Sequence, residues 1–292
     1  MVRPPVGQRS GLLSAEDLTV ARINHSLALR ARIPLACASG LYYDLHFRPI
    51  PATLTAPTNV TESDTPFEIA AIVLCGGESS RMGFDKFRLP LNGRTFLECV
   101  VEKLATVVDG PIIAAASERT VTEVTKIKDA INEDRFQVVV DERNDSGPME
   151  GIRMGLGAAG KVAKWAFVTS CDVPLICPEV LGVLQDALKD NESSDFEATM
   201  PTSPERIFGM TAIYRCSVVS KVANMVARRQ LRVSDLATEL NTKRISVDEI
   251  RKADPELDSM KNLNSPSDYL DFLRQRGFDC PADIEQLLKT KS

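Results

Sequence analysis

An α/β fold built on a largely parallel sheet is what this sequence predicts, on two observations. From Phe67 onward, short apolar runs alternate with helical patterns, and the first of those runs is apolar throughout, as a strand buried on both faces must be. Readable helix ends stand between the runs.

In chain order, the first strand is 68–74, carried by "IAAIVL". Thr95-x-x-Glu98 then forms a capping box in front of "FLECVVEKL", where Phe96, Val100, Val101 and Leu104 share the face that a helix lays on a sheet. Strands are expected at 111–116 and 136–140, followed by a Gly147-Pro148 turn and a helix. A strand at 165–170 leads to the helix "PEVLGVLQDALKD", with Pro178 in its first turn. Strands at 196–200, 210–214 and 244–247 follow. A last helix pair at about 266–276 and 281–290 closes the domain, the first opened by Ser265 as N-cap and Pro266 at N1. No internal repeat or heptad pattern interrupts this order.

The division expected is an N-terminal extension with a Pro/Thr-rich linker over 1–66, disordered or a small appendage, and one domain over 67–292. Residues 1–66 hold six Arg and no Lys, and end in "PIPATLTAPTNVTESDTP". The segment "SLALRARIPLACASG" imitates a signal peptide, but Arg30 and Arg32 break its apolar part, so export is not expected.

The totals exclude several classes of function. With 35 Lys and Arg against 40 Asp and Glu, the net charge of −5 speaks against broad neutralisation of nucleic-acid phosphates. No apolar run approaches the roughly 20 residues that cross a bilayer. The 7 cysteines are scattered without a C-x-x-C pair and read as reduced thiols of a cytoplasmic protein. Both histidines, His25 and His46, precede the domain, which therefore lacks an imidazole for a Ser-His-Asp triad or a zinc site. Carboxylates, Lys, Arg, backbone amides and a hard metal ion remain.

The string "LCGGESSRMGFDK" (74–86) leaves the first strand at its carboxyl end, where open α/β sheets collect ligands. Gly76 and Gly77 let backbone come close to a ligand, Ser79 and Ser80 add hydroxyls, and Arg81 and Lys86 add full charges. That is the make-up of a polyphosphate cradle. It is neither a Walker A loop nor a dinucleotide fingerprint, since neither spacing can be written through it.

Two further strand ends and one later loop carry polar groups. "VVVDERNDSGPMEGI" (138–152) ends a strand on Asp141, which on physical grounds alone could be a helix N-cap or a solvated turn acid. "WAFVTSCDVPLI" (165–176) delivers Asp172, which suits Mg²⁺, an ion satisfied by one or two protein oxygens, or could cap the next helix. "KNLNSPSDYLDFL" (261–273) contains Asn262 and Asn264, which the helix cap does not explain.

In this order the segments resemble the molybdenum cofactor guanylyltransferase (MobA-like) family of nucleotidyltransferases. The first matches the pattern L-A-G-G-x-S-x-R-M-G-x-D-K at Leu74, Gly76, Gly77, Ser79, Arg81, Met82, Gly83, Asp85 and Lys86, with Cys75 in place of Ala. The second matches at Asp141, Gly147, Pro148, Gly151 and Ile152, the third at C-D-x-P, and the fourth at Asn262, Asn264, Ser265, Pro266 and Asp268. The resemblance implies a Rossmann-like three-layer α/β/α domain of the nucleotide-diphospho-sugar transferase-like kind. It implies Mg²⁺-dependent transfer of GMP from GTP to the phosphate of molybdopterin, with pyrophosphate released.

By the same resemblance, Arg81, Lys86 and Asp172 are catalytic. Leu74, Cys75, Gly76, Gly77, Ser79, Lys86, Asp141, Gly147 and Pro148 bind nucleotide, Asn262 and Asn264 face the acceptor, and Asp172 and Asp141 hold the metal. Molybdenum-insertion proteins or apo-molybdoenzymes are the implied protein partners, with no nucleic acid and no membrane. Rival readings are a relative that uses CTP or a sugar or alcohol phosphate acceptor, and a GTP-binding adaptor without catalysis.

Two departures concern specificity. "IIAAASER" has Ser117 where many relatives carry Asn, and "ERIFGMTAIYR" places Phe208, Gly209 and Met210 before Tyr214 in place of Pro-Leu. "GLGAAG" (155–160) satisfies G-x-G-x-x-G but follows a helix and precedes a strand, so it reads as helix-to-sheet packing. The cluster "ARRQLR" (227–232) reads as a solvated helix end.

Overall fold

The structure is a computed structural model and describes residues 67–76, 85–143, 145–189 and 195–289. The expected extension, residues 1–66, and the loop residues Gly77, Ser79, Ser80, Arg81, Met82 and Gly83 lie outside the described residues.

The strands are β1 (Phe67–Leu74), β2 (Pro90–Leu91), β3 (Arg94–Thr95), β4 (Ile112–Ala116), β5 (Phe136–Val140), β6 (Ala163–Ser170), β7 (Ala198–Thr202), β8 (Ala212–Arg215) and β9 (Thr242–Ser246). Seven of them form one sheet in the order β5-β4-β1-β6-β8-β7-β9, and β2 pairs with β3 apart from it. Every neighbouring pair in the large sheet is parallel except the two made by β8. β1 lies well inside the sheet, which is why its side chains from Ala70 to Val73 have no exposed surface.

The helices are α1 (Phe96–Ala105), α2 (Val121–Ala130), α3 (Pro148–Ala159), α4 (Pro178–Lys189), α5 (Val219–Ala227), α6 (Leu236–Glu239), α7 (Val247–Ile250), α8 (Pro266–Arg276) and α9 (Ala282–Lys289). They cover both faces of the sheet, giving the three-layer Rossmann-like architecture. On one face Val100, Val101 and Leu104 of α1 join Val180 and Leu184 of α4 over Ile69, Ala71, Val73 and Phe167. On the other, Met149, Ile152 and Leu156 of α3 join Val222 and Met225 of α5 over Ala70, Ile72 and Val168. Alternate residues of β1 and β6 thus feed opposite cores.

Local signals explain the helix ends. Thr95 and Glu98 form the capping box expected for α1, and Ser265 with Asp268 forms a second one for α8 behind Pro266. Gly147, at φ +54°, is the residue before α3. Helix α3 packs closely on β1: a Cβ on Gly155 would come within 2.5 Å of Ile72 Cγ2, so this glycine of "GLGAAG" serves packing.

Several strand bounds differ from expectation. β6 begins at Ala163, β7 lies two residues further along the chain, β8 begins two residues later and ends one later, and β9 begins at Thr242. The apolar pattern there is weak because Thr199, Pro201 and Thr202 interrupt it, and pairing sets the ends, with Thr202 opposite Ser246. The β2–β3 hairpin was not expected. Its signal is Asn92-Gly93, both at positive φ, but strands of two residues carry no readable period. Leu89, Leu91 and Phe96 beside it pack with Leu263, Tyr269, Leu273 and Leu288, and Tyr269 donates to the Pro90 carbonyl at 2.7 Å. This small third core ties the two closing helices to the segment just after Lys86.

Candidate active site

The carboxyl ends of β1, β4, β5 and β6 make one edge, and backbone ladders extend past the strands to hold it. Cys75 donates its N–H to Ala115 at 2.8 Å, Cys171 to Leu74 at 3.1 Å, and Asp141 to Ala116 at 2.8 Å. The residues that leave the sheet are therefore fixed at their first atoms.

Lys86 and Asp172 meet at this edge. Lys86 opens a 3₁₀ turn, Lys86–Arg88, whose Phe87 is buried, and an Arg119–Asp85 ion pair at 2.7 Å holds the preceding residue. Asp172 sits in the turn after β6 with buried Val173 behind it, and is only 5% exposed. Lys86 Nζ donates to Asp172 Oδ2 and to Asn264 Oδ1, each at 2.8 Å, and Asn262 Nδ2 donates to Asp172 Oδ1 at 3.0 Å. Leu263 N–H donates to the Asp172 carbonyl at 3.3 Å. Asp172 is not a helix cap, since α4 starts only at Pro178.

A buried polar network, unread in the sequence, fixes the chain that brings the asparagines. Asp254 accepts the N–H groups of Asp258 at 3.0 Å and Ser259 at 2.8 Å. Ser259 Oγ accepts the N–H of Cys177 at 2.8 Å, and its carbonyl accepts the Thr211 hydroxyl at 2.9 Å. Segment 254–264 is thereby tied to the exits of β6 and to the start of β8. The only hint in "KADPELDSM" was an acid preceding a turn, which could equally be solvated.

Asp141 forms a second polar point. Its Oδ1 is buried with no hydrogen-bond partner among the described residues, and its Oδ2 would be 3.1 Å from a Cβ placed on Gly76. A Cβ on Gly151 would meet Leu74 Cδ2 at 2.9 Å and Asp141 Oδ1 at 3.8 Å. These two glycines keep the space around the carboxylate open. Asp141 is not the N-cap of α3, a position Gly147 holds.

Burial pushes the Asp141 carboxyl up to about 6, the negative Glu150 adds to the rise, and Arg153 opposes it. Glu150 is itself fully buried and takes Arg153 Nε at 2.9 Å and Nη2 at 2.7 Å, leaving Asp141 without an ion pair among the described residues. The folded protein thus favours protonated Asp141, a preference complete below the ordinary value of 3.8 and lost as pH rises through 6. Asp141→Asn should therefore stabilise the fold by about 1–2 kcal/mol at pH 8 once partial exposure is allowed for. Urea denaturation should show that gain shrinking through pH 6 and vanishing at pH 4.

Cys171 is buried and hydrogen-bonded to Cys75, which together with burial lifts its thiol well above the usual value, and burial with a Glu179 hydrogen bond pushes Cys177 up to about 12. Both are packing residues. Tyr214 is fully buried with its hydroxyl on the Gly209 carbonyl at 2.7 Å, so it faces the core. Ser117 turns its N–H to Thr120 Oγ1 at 3.0 Å. Among the described residues, no group of three or more acidic, Cys or His side chains could hold a metal, and no helix is long and apolar enough to cross a membrane.

A mostly parallel α/β/α sheet with an anchored lysine and a nearly buried carboxylate at its carboxyl edge defines a Rossmann-like nucleotidyltransferase. The chain belongs to the MobA-like NTP transferase domain family, whose model matches residues 71–241. A probable molybdenum cofactor guanylyltransferase of Peptoclostridium acidaminophilum is 30% identical over 200 residues, 67% of this chain and 84% of the relative. Another from Methanosarcina mazei is 29% identical over 202 residues, 68% of this chain and 87% of the relative. Molybdopterin-guanine dinucleotide biosynthesis protein A from Archaeoglobus fulgidus shares the fold with a TM-score of 0.57 at 22% identity, covering 71% of this chain and 96% of that one.

Proposed function

We propose that the protein transfers GMP from GTP to the terminal phosphate of molybdopterin and releases pyrophosphate. The observation that carries this reading is the meeting of Lys86 and Asp172, 2.8 Å apart at the carboxyl edge of the sheet. The relatives named as molybdenum cofactor guanylyltransferases support the choice of substrates.

The donor set fits a hard divalent cation such as Mg²⁺, because Asp172 offers a single carboxylate with oxygens turned to the edge. When bound, that ion would offset charge on the phosphates. Asp172 would hold it. Asp141, just past the end of β5, would be the second ligand, its Oδ2 turned toward Gly76 at the exit of β1, the strand next to β6. Its other oxygen, Oδ1, has no partner among the described residues and suits a hydroxyl or N–H donor of the nucleoside.

Transfer of this kind needs positioning and charge stabilisation more than covalent help. Lys86, with Arg81 from the glycine-rich loop, would hold the triphosphate and stabilise the departing pyrophosphate. The amides around Leu74, Cys75, Gly76, Gly77 and Ser79 would line the phosphates, and the Gly147-Pro148 turn would flank the base and ribose. Asn262 and Asn264 would stand toward the acceptor while touching Asp172 and Lys86. The reaction suits a cytoplasmic protein that passes product to molybdenum-insertion proteins or apo-molybdoenzymes.

The test supplies each α-³²P-labelled nucleoside triphosphate with Mg²⁺ and molybdopterin on a carrier protein. Label from GTP should pass to the pterin with one pyrophosphate released per transfer. Preference for CTP, or label moving only to a sugar or alcohol phosphate, would replace this substrate assignment. GTP binding without pyrophosphate would leave an adaptor.

A further inference from the structure

Lys86 and Asp172 carry the two opposite charges that a triphosphate and a divalent cation would each seek, yet here they neutralise one another. Their side chains are 19% and 7% exposed, so little water screens the pair. Asn264 accepts the Lys86 ammonium at 2.8 Å, Asn262 donates to the far oxygen of Asp172 at 3.0 Å, and Asn264 Nδ2 turns back to the Asn262 carbonyl at 3.5 Å. The four side chains form a chain of hydrogen bonds that closes only through the main-chain carbonyl of Asn262, and the Leu263 N–H on the Asp172 carbonyl at 3.3 Å holds it in place.

We infer that this clamped Lys86–Asp172 pair makes the triphosphate and the divalent cation depend on each other for binding. The inference rests on the nucleotide and metal roles proposed above. To a triphosphate alone, Lys86 is already satisfied and Asp172 presents a repelling charge. To a cation alone, Asp172 presents a carboxylate capped by an ammonium. When both ligands arrive, Lys86 turns to the phosphates as Asp172 turns to the cation, and neither poorly solvated charge is left unpaired. Linkage makes the effect reciprocal, so each ligand tightens the other by the same factor.

A double-mutant cycle read by GTP binding in EDTA tests this without turnover and without metal–nucleotide equilibria in solution. Asp172→Asn, which keeps the shape and removes the charge, should tighten metal-free GTP binding about tenfold, within the usual range of such couplings. Lys86→Met should weaken it, and adding Asp172→Asn to Lys86→Met should give a clearly smaller gain than in the wild type, because relief of repulsion remains but no Lys86 is left to release. An equal gain in both backgrounds would overturn the inference in favour of plain charge repulsion. Weaker binding in Asp172→Asn would overturn it too, making Asp172 a support that aims Lys86 at phosphate. If the wild type and Asp172→Asn both bind GTP only when Mg²⁺ is added, the pair does not withhold Lys86 and the inference fails alone. If the wild type binds no GTP even with Mg²⁺, the proposed function fails instead.

Discussion

Asp172→Ala is expected to lower kcat by about two to three orders of magnitude, the usual loss when one charge-stabilising contact is removed from a transition state. The argument is positional. Asp172 is nearly buried, stands two residues past the end of β6, and has both oxygens engaged by Lys86 and Asn262. Its removal takes away the proposed cation anchor and the partner of Lys86 together. The fold should survive, since Lys86 keeps some exposure and its Asn264 partner, and the stability cost should stay near 1–2 kcal/mol. Steady-state kinetics beside a urea denaturation curve would separate the two effects. A fall in kcat of less than about tenfold would remove Asp172 from the chemistry.

The second large effect is expected at a distance from the proposed chemistry. Asp254→Ala strips the acceptor from two backbone N–H groups, those of Asp258 and the fully buried Ser259, and should destabilise the protein by about 2–4 kcal/mol. Because Ser259 also holds Cys177 and Thr211, the loosened turn should let Asn262 and Asn264 drift from Asp172 and Lys86. Activity should then fall at temperatures where the variant is still folded, with kcat affected more than the KM for nucleotide. Asp254→Asn keeps one acceptor oxygen and should restore part of both losses. Unchanged stability in Asp254→Ala would show that the turn closes without the carboxylate.

Much of the fold was legible in the residues themselves. "IAAIVL" is apolar at every position and has no polar face to give to water, so an interior parallel strand is its natural place. Thr95 with Glu98 and Ser265 with Asp268 name the starts of α1 and α8, because a cap acts within one turn of chain. Strands β7 to β9 were placed only approximately, since their ends depend on register with neighbours.

The candidate site was legible in its residue types more than in its contacts. Lys86, Asp172, Asn262 and Asn264 stand out as polar groups at strand ends or beyond the needs of a cap. That the asparagines would bond to the lysine and the aspartate themselves was not visible. Asp254 and Ser259 left only the hint of an acid before a turn, because a buried acid is identified by the N–H groups it meets, and those belong to the folded turn. The solvation of Asp141 was likewise undecided until Gly76, Gly151 and Glu150 closed around it.

The sequence by itself determined the alternation of strand and helix, the capped helix starts and the chemistry available to the domain, all of which are set by periodicity and by neighbours a few residues apart. Only the tertiary structure decided that residues 86 and 172, separated by 86 positions, share one hydrogen bond, and that residue 264, at 178 positions from the lysine, shares another. Those contacts follow from the order β4-β1-β6 and from closing helices packed on Leu89, Leu91 and Phe96, just after Lys86. No local propensity encodes that order, because it is selected by burying two faces of one sheet at once.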